Sequence, residues 1–276
     1  MWLIKVKPIF YSIIINSDLM ENNVQSLASK PLVALVTGAN QGIGFQIAKA
    51  LVANGYIVYL GARDLAKGEH AAAEIGTNVY PVHLEVNNQS LIEATAERIK
   101  KEFGHLDLLV NNAGVSHAGK PGRSMEEVLA SGLASNASLQ EVKAVWDTNV
   151  FSVIAVTQAV LPLLRKSAAA RVVNVSSGLG SLTWMSDPDN PYRKGYGLIY
   201  SASKTAQNAV TMAFAIELEK ENIKVNAVSP GFTATALNNF QGTDTVEVGS
   251  REPIRVALET DGPTNTFTGP DGPLPW

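Results

Sequence analysis

An apolar run that breaks into a glycine-rich turn and then into a helix constrains this chain more than any other feature. Leu32–Thr37 reads LVALVT, and Gly38-Ala39-Asn40-Gln41-Gly42-Ile43-Gly44 follows it directly. A buried strand, a tight turn and a helix opening at Ile43 make the βα unit that binds dinucleotides. Gly38 permits the tight turn, Gly42 lets the backbone approach a pyrophosphate, and Gly44 lets the helix pack close to the strand. The N–H groups and the positive dipole end of the helix suit the phosphates. Gly38, Asn40, Gln41, Gly42, Ile43 and Gly44 are therefore candidate cofactor-binding residues.

The same alternation continues along the chain. Strands are expected at 57–61, 78–84, 106–110, 171–175, 223–228 and 265–268, with helices at 66–75, 90–103, 139–166, 199–219 and 246–258 between them. Pro162 is expected to kink the long helix near its end. Continuous apolar strands separated by helices imply a parallel sheet covered on both faces. The fold class is thus α/β, a Rossmann-type doubly wound parallel sheet of about seven strands, with ligands at the carboxyl ends of the strands. Two long segments, 117–138 and 179–198, follow strands on that side and could shape a substrate pocket. Residues 31–276 are expected to form a single domain and residues 1–30 an N-terminal extension outside the fold.

Composition narrows the function classes. The net charge is −3 and no Lys/Arg run occurs, which argues against a nucleic-acid partner. There is no cysteine, and the four histidines are scattered without metal-ligand spacing, so no metal site is expected. The longest uncharged N-terminal run, Pro8–Ser17, is too short to cross a bilayer. No integral membrane segment is expected, and a cytoplasmic location is.

The end of the second strand bears on cofactor type. An acidic residue about 20 positions beyond the glycines usually marks NAD. Here the local sequence is Gly61-Ala62-Arg63-Asp64. A guanidinium at Arg63 suits a ribose 2′-phosphate, which points to NADP(H), while Asp64 would serve NAD if the loop shifted.

Tyr200 and Lys204 are four residues apart at the start of a helical pattern, so they share one helix face. A neighbouring ammonium favours the phenolate and is expected to lower the tyrosine pKa, which would make Tyr200 a general acid or base for an alcohol or carbonyl.

With Asn111-Asn112-Ala113-Gly114, Ser176-Ser177 and Pro230-Gly231 in order around these motifs, residues 31–276 resemble the short-chain dehydrogenase/reductase superfamily. Within it they look most like the NADPH-dependent carbonyl reductases, on TGANQGIG, GARD, RVVNVSS and the tail VEVGSREPIRVALETDGPTNTF. The resemblance implies four catalytic residues: Asn149, Ser177, Tyr200 and Lys204. It places Arg63 at the 2′-phosphate, and Glu85 and Val86 at the adenine. Asn111, Asn112, Ala113 and Gly114 would line the adenine ribose side, and Pro230, Gly231, Thr233 and Thr235 would meet the nicotinamide end. Tyr200 and Lys204 would also touch the cofactor. Gln41 stands where many NADP-dependent relatives carry Lys or Arg. The stretches before Asn149 and before Tyr200 are longer than usual.

The resemblance implies hydride transfer to a small-molecule ketone, aldehyde or quinone carbonyl. Ser177 would bind the oxygen, Tyr200 would protonate it, Lys204 would hold the nicotinamide ribose, and Asn149 would fix a water that relays protons. A non-catalytic NADP(H)-sensing module, an alcohol dehydrogenase and an enone reductase remain alternatives. Trp184, Met185, Tyr192 and Tyr196 either line the pocket or pack their loop onto the body. A homodimer through the two long helices and a monomer are both open.

Overall fold

The computed structural model describes residues 30–120 and 122–276. The expected extension at 1–30 lies outside the described residues, apart from Lys30. Leu32–Trp276 forms one compact unit. Eight strands make a single sheet: β1 (Leu32–Val36), β2 (Tyr56–Ala62), β3 (Val79–His83), β4 (Leu108–Asn111), β5 (Arg171–Val175), β6 (Lys224–Val228), β7 (Phe267–Gly269) and β8 (Gly272–Pro273). Their order is β3-β2-β1-β4-β5-β6-β7-β8. All neighbours are parallel except β7 and β8. The two-residue β8 has no apolar run of its own, which is why sequence patterning shows about seven strands.

Side-chain alternation explains why both faces are covered. Val33 and Leu35 of β1 enter one core cluster with Leu109, Val172 and Val225, while Ala34 and Val36 enter the other with Val110, Val173 and Val228. Successive residues point to opposite faces, so a strand buried on both sides must be apolar throughout. The first cluster is closed by α3 (Gln89–Glu102), α6 (Ser152–Leu164) and α8 (Ser201–Leu218). The second is closed by α1 (Gly42–Ala53), α2 (Leu65–Ile75) and α10 (Arg251–Leu258). Each fully buried Val or Leu contributes roughly 1.5–3 kcal/mol.

Four segments differ from the sequence pattern. The expected helix at 139–166 is α5 (Leu139–Trp146), a π-helical turn at Asp147–Phe151, and α6. The whole run is long and apolar enough to span a bilayer, but Val153, Val156, Val160, Leu163 and Leu164 are buried in the protein core. Pro162 lies exposed inside α6, two residues before its end. The segment 117–138 contains α4 (Met125–Gly132), started by a capping box: Ser124 Oγ accepts from Glu127 N, and Glu127 Oε2 accepts from Ser124 N. The segment 179–198 contains α7 (Leu182–Ser186), whose N-cap is Ser181. The expected helix at 246–258 is two pieces, α9 (Val246–Gly249) and α10.

Candidate active site

The turn after β1 is fastened from β4. Thr37 Oγ1 accepts hydrogen bonds from Asn112 N and Ala113 N, both at 3.0 Å. Asn112 Nδ2 donates to Thr37 O at 2.9 Å and Gly38 O at 3.0 Å. Asn112 thereby shapes the glycine turn. Gly38 has φ +61°, which a side chain would strain. A Cβ on Gly44 would lie 2.4 Å from Asn112 Nδ2 and 2.6 Å from Gly38 O. Gln41 at the N-cap of α1 makes no side-chain capping bond, so the first-turn N–H groups are left to a ligand. The cradle fits a dinucleotide pyrophosphate.

Arg63, just past β2, is exposed and makes no hydrogen bond or ion pair among the described residues. Asp64 is occupied as the N-cap of α2, accepting from Lys67 N at 3.2 Å. Glu85 is exposed, while Val86 packs into the first core cluster. The segment after β6 reaches across to the glycine turn: Thr235 Cγ2 lies 3.9 Å from where a Cβ of Gly42 would be. Pro230 is half-buried and Gly231 exposed, with φ +78°. Thr233 is buried and donates to Pro230 O at 3.0 Å.

The four residues assigned to catalysis meet at the carboxyl ends of β4 and β5. Tyr200 sits at the N-cap position of α8, and Ser177 directly follows Ser176 at the end of β5. Ser177 Oγ accepts from Leu179 N at 3.3 Å, and Ser177 lies close enough to Tyr200 to influence its ionisation. Lys204 Nζ lies 5.9 Å from the centre of the Tyr200 ring and donates to Val175 O at 2.8 Å and Gln207 Oε1 at 2.9 Å. Asn149, in the π turn, is fully buried. Its Oδ1 accepts from Val115 N at 2.9 Å, and its Nδ2 donates to Val115 O at 2.8 Å and Ser203 Oγ at 2.9 Å. Asn149 Oδ1 and Lys204 Nζ converge on Gly114, 3.3 and 3.6 Å from the position of its absent Cβ.

The electrostatics differ from the expectation drawn from spacing. Burial pushes Tyr200 up to about 12, and the Ser177 side chain beside it lowers it only in part. Burial alone pulls Lys204 down to about 7. Lys204 does not lower the Tyr200 pKa here, because desolvation dominates for both groups. Tyr200 is thus a firmly protonated donor at neutral pH.

Behind these groups lies a buried polar layer that sequence reading missed. Asn111 points into it, donating to Thr157 Oγ1 at 3.2 Å and Asn174 Oδ1 at 2.9 Å, and so turns away from the ribose side. Asn174 Nδ2 donates to Thr211 Oγ1, and Ser176 Oγ donates to Asn208 Oδ1. Ser203, Lys204, Gln207, Asn208 and Thr211 form the inward face of α8. The visible signal was their helical spacing: polar residues recur where a core-facing helix is normally apolar. Ser229 was also missed; its Oγ accepts from Gly178 N at 3.0 Å and Gly231 N at 3.3 Å, joining the segments after β5 and β6.

The rim segments are tied to one another. Ser116 Oγ donates to Leu237 O at 2.6 Å, and Asn239 Nδ2 donates to Arg123 O at 3.1 Å. These bonds join the segments after β4 and β6, which β5 separates in the sheet. Leu198 N donates to Gly132 O at 2.7 Å. Thr183 donates to Trp276 O through N at 3.1 Å and Oγ1 at 2.8 Å. The aromatic ring of Trp184 packs 3.2 Å from the position of a Cβ on Gly178, the residue after Ser177, and Met185 is buried. Tyr192 is exposed, and Tyr196 OH bonds Thr205 Oγ1 at 3.2 Å.

Known proteins resemble this chain in sequence and fold. The family model described as short chain dehydrogenase matches residues 32–245. A short-chain dehydrogenase of Penicillium roqueforti is 38% identical over 241 residues, covering 84% of this chain and 90% of the relative. Salutaridine reductase of Papaver somniferum is 31% identical, covering 90% of this chain and 97% of the relative. The structure of an NADPH-bound carbonyl reductase from chicken fatty liver superposes with a TM-score of 0.74 at 25% identity, covering 90% of this chain and 100% of the other.

Proposed function

The chain belongs to the short chain dehydrogenase family, and we propose that it is an NADPH-dependent reductase of small-molecule ketones, aldehydes or quinones. The observation that carries this reading is the placement of Lys204 Nζ 5.9 Å from the centre of the Tyr200 ring, with Ser177 beside the same tyrosine. Ser177 donates a hydrogen bond to the carbonyl oxygen as negative charge develops on it. Tyr200, held protonated by burial, gives that oxygen its proton. Lys204 keeps a third N–H beyond its bonds to Val175 and Gln207, and this N–H serves the ribose. Bound NADPH supplies the hydride.

Support for NADPH over NADH comes from the end of β2. Arg63 is exposed and unpaired among the described residues, whereas Asp64, the next residue in the chain, is committed to capping α2. A free guanidinium beside an occupied acid favours a 2′-phosphate over bare ribose hydroxyls. Leu182, Tyr192, Phe232 and Phe240 are exposed on the segments after β5 and β6, which supports an apolar carbonyl compound as substrate.

The test is NADPH and NADH oxidation against a panel of ketones and quinones, with Tyr200→Phe beside the parent. Removing the proton donor lowers kcat by about 10²-fold or more. Undiminished turnover in the variant overturns the mechanism, and a strong preference for NADH overturns the cofactor.

A further inference from the structure

Gln207 lies one helical turn beyond Lys204 on α8 and is fully buried. Its Oε1 accepts from Lys204 Nζ at 2.9 Å, while its Nε2 is buried without a hydrogen-bond partner among the described residues. A buried donor left unmade is costly, and such a group calls for an explanation. The oxygen at the other end of the amide, held on Lys204 Nζ, accounts for it. The ammonium of Lys204 has two acceptors, the Val175 carbonyl and the Gln207 amide, and both are neutral.

The other groups around it bring no negative charge. Tyr200 comes from the same helix, Ser176 and Ser177 from the end of β5, Asn149 from the π turn and Gly114 from the segment after β4. Burial works against the charged form of Lys204. A carbonyl oxygen aimed at the ammonium works the other way.

We propose that Gln207 is a positioning residue for Lys204: its amide oxygen holds the buried ammonium at the catalytic end of α8 and so sets the upper pH limit of reduction. The proposal rests on the reductase reading for its consequence in turnover, but not for the Lys204–Gln207 interaction itself. Val175 O and Gln207 Oε1 fix two of the three N–H directions. The third is then directed by geometry rather than by a flexible four-carbon stem.

Two measurements test it on the full chain. In the first, lysine 13Cε shifts are followed with pH in the parent, Gln207→Met and Gln207→Glu, with Lys204→Met to assign the Lys204 signal. Methionine keeps the volume and removes the acceptor, so the Lys204 midpoint falls by about one unit; glutamate adds charge and raises it. In the second, kcat is measured against pH with NADPH and a turned-over ketone. The alkaline limb moves the same way as the midpoint in each variant. A role confined to packing changes kcat by one factor at every pH and leaves both midpoints where they are, and that result overturns the proposal. If Gln207→Met does not fold, the glutamate variant decides alone: a raised midpoint supports the proposal and an unmoved one overturns it. Shifted Lys204 midpoints together with full activity in Tyr200→Phe sink the reductase mechanism and leave the Gln207 interaction standing.

Discussion

A methyl group at Gly44 meets a side-chain amide and a backbone carbonyl at once, and neither can retreat without loosening the other. The added Cβ falls 2.4 Å from Asn112 Nδ2, the atom that fastens Thr37 and Gly38. Gly44→Ala therefore opens the turn, and its affinity for the reduced nicotinamide cofactor, measured by fluorescence titration, falls by about tenfold or more, the effect of losing roughly 1.4 kcal/mol. Lys204 makes a different prediction. Its folded pKa of about 7 lies below its ordinary value of 10.5. The unfolded chain therefore binds more protons between those values, and stability gained from this site rises as pH climbs through that window. Relative to Lys204→Met, the parent gains on the order of 3 kcal/mol between pH 6.5 and 9.5, read from urea unfolding at each pH.

Among the elements, the π turn at Asp147–Phe151 explains most about the site. Inserting a residue's worth of extra backbone turns Asn149 inward, where it grips both polar groups of Val115 and the hydroxyl of Ser203. π turns within α-helices occur often at functional sites. Asn149→Ala strands the N–H and C=O of half-buried Val115, while the Ser203 hydroxyl keeps its bond to Tyr200 O, and urea unfolding shows a loss of about 1–3 kcal/mol. The strand–turn–helix at Leu32–Ala53 was legible because its determinants are adjacent in the chain: an apolar run, three glycines and an amphipathic helix. The Tyr200–Lys204 pair was legible for the same reason. The π turn was not, since Trp-Asp-Thr-Asn-Val carries the same apolar spacing as the α-helix around it. Asn111 was misplaced because its direction depends on Thr157 and Asn174, which lie 46 and 63 residues further along. The Tyr200 pKa was misjudged because helix spacing encodes proximity to Lys204 but not the burial that outweighs it.

At the scale of the whole molecule, the sheet order puts β5 between β4 and β6, so the bonds Ser116–Leu237 and Asn239–Arg123 join two segments that are not sheet neighbours. Each bond shortens the reach the other must cover. In a double-mutant cycle on ketone kcat/KM, Ser116→Ala and Asn239→Ala together depart from the sum of the single effects by about 0.5–1 kcal/mol. Additive effects would show the two segments to be independent. The consequence reaches into how such a chain can change its diet. Loop surfaces elsewhere accept substitutions one at a time, but here each rim segment has its partner in another. A new preference therefore has to be acquired through linked substitutions, and the value of any one of them depends on those already in place. Transplanting a single rim segment from a relative should disappoint where exchanging the tied segments together succeeds.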